Sequence, residues 1–219
     1  MSGDISSVLN SPADNQHMAL LYEDENQRHT AVAHFINEGL KRDQLCVYGS
    51  ISYRDKEHIK KISSRIANSE QEQKKGNLVF VDMAPIYISA LMGDLEPFKR
   101  ASEQVVKMVI NRADKHIRFV GDCAGFLFKN RHFEECLMLE GWGQQKPFVG
   151  SYLCPYQKGL FTSYPYSNHR KSILTIKHDI AIDADKMRIM IEEQGACVNS
   201  EVNHIHKESS FNMRGQNWK

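Results

Sequence analysis

Apolar residues in this chain fall into two alternating patterns. Short continuous runs occur at Met18–Tyr22, Leu45–Tyr48, Leu78–Val81, Ile117–Val120 and Phe148–Leu153. Between them, apolar residues recur at helical spacing. Ala31, Val32, Phe35, Ile36 and Leu40 share one face of a helix that Asp24 can cap, with Gln27 three residues on to return the bond. Ile59, Ile62 and Ile66 mark a very polar helix that ends in the solvated stretch Ser69–Lys75. A loop with Pro85, Gly93 and Pro97 precedes a helix lined by Phe98, Ala101, Val105, Met108 and Val109. Phe133, Cys136, Leu137 and Leu139 predict a further helix, and Ile173, Leu174 and Ile176 a short last one. One more helical turn is expected near Met187, Met190 and Ile191.

Continuous apolar strands alternating with amphipathic helices predict right-handed βαβ units. The fold class is therefore α/β: a three-layer sandwich with a mainly parallel sheet and helices on both faces. Residues 1–16 read as a flexible N-terminal arm, 17–183 as the domain, and 184–219 as a polar extension that is mobile at its end. In such sheets ligands bind beyond the carboxyl ends of the strands. That rule selects Tyr22 and Glu23, Tyr48 and Ser50, Asp82, Asp122 and Cys123, and Cys154 and Tyr156.

Composition narrows the function classes. The 219 residues carry a net charge of +1, so no overall field draws the chain to nucleic acid or anionic lipid. No apolar run reaches membrane-spanning length, and the first residues lack the apolar core of a signal peptide. A cytoplasmic protein with no direct nucleic-acid or membrane partner is expected. The five cysteines form no CxxC pair, which argues against a disulfide framework or zinc ribbon.

The turn after the first strand, Glu23-Asp24-Glu25-Asn26-Gln27, stands where many α/β proteins place a glycine-rich phosphate loop. It has no glycine and three acids. Glycines let successive backbone N–H groups converge on an anion, and other residues obstruct that geometry. The segment HTAVAHFINEGLKRDQLCVYGS resembles the region after the phosphate loop in RecA-like ATPases of the KaiC group. It is closer to a degenerate relative, the MEDS domain (methanogen/methylotroph, DcmR-type sensory domain). That resemblance rests on His17 to Tyr22, Gly39-Leu40, Cys46-Val47-Tyr48, Arg118 to Asp122 and Cys154-Pro155-Tyr156, over roughly residues 17–180. It implies a RecA-like sheet and a sensor of small molecules, with hydrocarbon derivatives proposed as ligands. It also implies a signalling partner, a histidine kinase or transcription regulator; this chain shows no obvious second module. Matched by position, Gln27, Arg28 and His29 replace the last loop glycine, the lysine and the magnesium-binding Ser/Thr.

The expected function is a non-catalytic small-molecule sensor with no cofactor and no metal. A degenerate nucleotide-binding regulator acting in an oligomer is the alternative. The expected ligand site is Tyr22, Glu23, Tyr48, Asp82, Arg118, Asp122, Cys154 and Tyr156: tyrosines as walls, charged groups for orientation. Each has a plainer reading. Tyrosines often end strands with the ring in the core. Arg118, in a buried strand, calls for a carboxylate partner such as Asp82 or Glu23. A nucleophilic Cys123 needs a histidine such as His29 or His132, and no signature links them. His204 and His206 could begin a metal site but lack an evident third ligand. Arg28, Arg42 and Arg54 form no stripe interleaved with aromatics, so they do not suggest nucleic-acid binding.

Overall fold

A computed structural model describes residues 5–94, 116–144, 150–184 and 188–189, together with positions 96, 100, 103 and 107. Strands β1 (His17–Tyr22), β2 (Leu45–Ser50), β3 (Leu78–Asp82), β4 (Ile117–Gly121), β5 (Gly150–Gln157), β6 (Ile180–Asp183) and β7 (Arg188–Ile189) join in one sheet, ordered β3-β2-β4-β5-β1-β6-β7. The first six are parallel, and β7 pairs antiparallel with β6. Every residue of β1 and β2 is buried. That is the signature of a parallel sheet covered on both sides. By contacts the chain divides into two units, Met1–Ile189 and Met190–Lys219, and the described residues belong to the first. Among the described residues, no helix is long and apolar enough to cross a membrane.

One face is covered by α1 (Ile5–Asn10), α2 (Glu25–Lys41) and α3 (Lys56–Ser63). Val32, Phe35 and Ile36 of α2 pack on Met18, Leu20, Tyr48, Val120 and Leu153. The other face carries α6 (Cys123–Lys129) and α7 (Phe133–Gly143). There Phe128, Phe133, Tyr156, Phe161 and Tyr166 form a ring-on-ring cluster. Gly125 lets α6 approach this closely: a Cβ there would stand 2.0 Å from the Pro155 carbonyl oxygen.

Several elements differ from expectation. The segment after β3 is a helix, α5 (Ala84–Met92), not a loop. Pro85 sits in its first turn, where a missing N–H costs nothing, and Gly93 closes it at φ 64°. The polar helix is two: Asn68, at φ 53°, separates α3 from α4 (Ser69–Lys75). Helix α6 and strands β6 and β7 were not expected, and the short last helix is a π-helical turn, Ser172–Ile176. The helix expected near Phe98–Val109 and the turn expected at Met187, Met190 and Ile191 fall outside the described residues, apart from isolated positions and β7.

The N-terminal arm is also corrected, and so is Arg118. Leu9 of α1 is 2% exposed, because Arg118, reaching out from β4, fastens this helix to the sheet. The guanidinium donates to the carbonyls of Leu9 (2.6 Å), Asn10 (2.8 Å) and Phe35 (2.9 Å) and to Gln44 Oε1 (2.7 Å). It lies 4.9 Å from the centre of the Phe35 ring. The expected carboxylate partner is replaced by four neutral oxygens. Burial lowers the Arg118 pKa to about 10, which leaves it charged at neutral pH. Gly39 of α2 makes room: a Cβ would lie 2.6 Å from Arg118 Cδ and from Cys46 Sγ. Arg118→Met should cost roughly 3 kcal/mol or more, since it orphans buried carbonyls. Urea denaturation checks the cost, and faster proteolysis within residues 5–10 checks that α1 is released.

Candidate functional site

The turn between β1 and α2 satisfies itself. Asp24 accepts a bond from the Gln27 amide (2.8 Å), and Gln27 Oε1 accepts from the Glu23 amide (2.9 Å). The anticipated cap forms, with its return bond one residue earlier. The amide at Gln27 is therefore spent within the turn rather than offered to an anion.

One residue further on, Arg28 folds back over the end of the sheet. Its guanidinium carbon lies 5.8 Å from the Tyr22 ring centre. Its nitrogens lie 2.8 Å from Glu25, 3.4 Å from both His29 Nε2 and His58 Nδ1, and 4.0 Å from Asp122. The Nε of Arg28 is buried and has no hydrogen-bond partner. His58 accepts from Arg28 at Nδ1, so its Nε2 carries the proton. That nitrogen faces the Tyr48 hydroxyl at 2.9 Å and Ser50 Oγ at 3.3 Å. Ser50 in turn donates to Asp122 (2.6 Å), which also accepts from the Ile51 amide (2.9 Å). A polar chain thus runs from the start of α2 across the ends of β2 and β4. Beside it, a cleft of about 310 Å³ is lined by Glu25, Asn26, His29, Lys61, Ser64 and Arg65.

Burial sets the electrostatics here. It pushes the Asp122 carboxyl up, against the bonds from Ser50 and Ile51. It pulls His58 down, helped by Arg28, and pulls His29 down to about 4. It raises the hydroxyls of Tyr22 and Tyr48. Both histidines are therefore neutral beside a charged arginine.

Of the expected residues, the structure brings Tyr22, Tyr48 and Asp122 together. Glu23 turns away to Lys158 (3.4 Å). Asp82 accepts from the Ala84 amide at the start of α5 (2.9 Å) and pairs with exposed Arg54 (3.1 Å). Arg118 belongs to the α1 contact. Cys154 and Tyr156 lie on the opposite face of the sheet, with Glu140 of α7: the Tyr156 hydroxyl donates to that carboxylate, and Cys154 Sγ lies 3.2 Å from His17 Nε2. The three tyrosines do not wall one pocket, because Tyr156 points into the other layer, against Glu140 and Phe128. Burial holds the Cys123 thiol far above its ordinary pKa, which rules out a resting thiolate. His204 and His206 fall outside the described residues. His58 was missed: it lies in a polar helix with no sequence signal linking it to Tyr48.

Fold and site define the class: a RecA-like parallel sheet whose strand-end rim carries a self-capped, glycine-free turn. The family model for the MEDS domain, the methanogen/methylotroph DcmR sensory domain, matches residues 16–164, and the chain belongs to that family. Among solved structures it is similar to a KaiC-like protein from the hyperthermophilic archaeon Pyrococcus horikoshii. The TM-score is 0.54 at 17% identity, over 78% of this chain and 71% of that one, a likeness of fold. No curated protein matches.

A neutral buried histidine takes up a proton more readily in the unfolded chain. Its contribution to stability is present above its unfolded pKa of about 6.5 and is lost as pH falls toward the folded value. Between pH 6.5 and 4, His29 alone should cost on the order of 3 kcal/mol at most. Denaturant unfolding from pH 7 to pH 5 should show stability falling, with a shallower slope in His29→Gln.

Proposed function

We propose that this is a non-catalytic sensory domain that binds a small neutral or zwitterionic molecule where β1, β2 and β4 end, and signals to another protein. The observation that carries this is the buried guanidinium of Arg28, whose Nε has no partner. A desolvated donor is costly to leave unpaired. A carbonyl, hydroxyl or carboxylate oxygen of a ligand would satisfy it, and a cleft of about 310 Å³ adjoins the guanidinium through Glu25 and His29, which both contact Arg28. Glu25 and Asp122 already surround the guanidinium. A group of high negative charge would be repelled there, by about 1–4 kcal/mol for each like-charge contact near 4 Å. Membership of a sensory-domain family supports the same reading. A histidine kinase or transcription regulator is the proposed recipient of the signal, in the cytoplasm.

Native mass spectrometry of the purified chain should reveal a retained small molecule. Arg28→Ala should weaken its binding roughly tenfold to a hundredfold, the worth of one hydrogen bond to a charged group. Circular dichroism would confirm that the variant is folded. Unchanged affinity in that variant would remove Arg28 from the site.

ATP hydrolysis should be absent, since residues 22–29 hold neither glycine nor lysine. Mg-ATP should likewise leave the melting temperature unchanged, whereas a ligand of the folded state raises it. Steady phosphate release that disappears in Arg28→Ala would overturn the non-catalytic reading.

A further inference from the structure

On the face of the sheet opposite Arg28, four side chains converge. His17 opens β1, Cys154 stands on the neighbouring β5, His178 precedes β6 on the other side of β1, and Glu140 descends from α7. His17, Glu140 and His178 are 3%, 2% and 5% exposed. One donor atom from each of the four lies within 4.8 Å of every other. His17 Nε2 is 3.2 Å from both Glu140 Oε2 and Cys154 Sγ. His178 Nε2 is 3.4 Å from the same carboxylate oxygen, and the thiol is 4.0 Å from it.

The hydrogen bonds around the cluster leave one of its nitrogens without a proton. His178 Nδ1 faces the Ile173 carbonyl at 2.6 Å, so that nitrogen holds the ring proton. Its Nε2 is therefore a bare lone pair, buried, aimed at a carboxylate oxygen and without a hydrogen-bond partner. The other carboxylate oxygen of Glu140 is engaged by the Tyr156 hydroxyl. A lone pair that faces a carboxylate oxygen in a dry space calls for a cation between them. A tetrahedral ion with zinc's bond lengths would space its donors about 3.3–3.8 Å apart. The observed 3.2, 3.4 and 4.0 Å bracket that range. The outer contacts also suit a metal: a backbone carbonyl fixes the His178 tautomer, and a hydroxyl orients the carboxylate.

We propose that His17 Nε2, Glu140 Oε2, Cys154 Sγ and His178 Nε2 form a four-donor site for a divalent transition metal, with zinc the best match. Two imidazoles, a thiolate and a carboxylate make a closed tetrahedral set, which is the structural rather than the catalytic kind. On binding, the Cys154 thiol gives up its proton to solvent and the sulfur takes the metal. The ion would fasten α7 and the segment before β6 to the β5–β1 pair.

The test uses the untagged full chain under reducing conditions, loaded with zinc and desalted. About one zinc per chain should remain by elemental mass spectrometry, and a strong chelator should lower the melting temperature. Cobalt loading should give visible bands of tetrahedral intensity and a near-ultraviolet sulfur-to-cobalt band. Cys154→Ser should abolish the near-ultraviolet band, and Cys197→Ser should keep it. Tyr156→Phe should weaken metal binding by roughly 10- to 100-fold through loss of the outer contact. A folded wild-type chain that retains no zinc and shows no cobalt bands would overturn the proposal. So would a cobalt spectrum unchanged in Cys154→Ser.

Discussion

The architecture turns on one buried cation. Arg118 rises from the inner strand β4 and spends its guanidinium on backbone carbonyls of α1 and α2 and on the Gln44 side chain. Those carbonyls include the exposed-prone last positions of α1, which have no partner within their own helix. Arginine suits this place because its planar fork meets several oxygens at once, and because it stays charged despite burial. The consequence reaches α2: Gly39 must lack a side chain for the arginine to pass. Helix α2 is thereby set against β2 and β4, and its first turn, with Arg28, is placed over the ends of the same strands.

The three acids of the β1–α2 turn find their explanation in that placement. Asp24 caps the helix, Glu25 pairs with Arg28, and Glu23 reaches Lys158. Each is occupied by a neighbour, so the turn is held by its own side chains. A phosphate loop is held open by glycines until an anion fills it. Here a RecA-like parallel sheet carries a turn that needs no anion to be complete.

The layers were legible in the sequence because buried parallel strands and amphipathic helices carry opposite periodicities, as β1 and α2 do. What escaped were the elements whose signals are ambiguous. Pro85 and Gly93 mark the two ends of a short helix as readily as a loop. The Ile180–Asp183 strand is too brief for a period to show. The rim was half legible. Strand ends named Tyr22, Tyr48 and Asp122, but sequence does not give strand order, and order decides which ends are neighbours. Arg118 misled for a related reason: position in a strand says that a side chain is buried, not which end of the sheet it serves. His58 and the pairing of His17 with His178 depend on chain segments far apart, and no local spacing encodes them.

Strand β1 is short, yet it supplies side chains to both polar clusters of the sheet. His17, at its start, looks toward Glu140 of α7; Tyr22, at its end, looks toward α2 and lies against Arg28. With a side-chain period of two, odd and even positions are locked into opposite layers. A transplant of this one strand between homologues would therefore move two interiors together. An insertion of a single residue within it would reverse the facing of the residues on one side of the insertion, so that His17 and Tyr22 could no longer both keep their layers. Substitution can alter one layer at a time along this strand, but a change in its length alters the relation between the two.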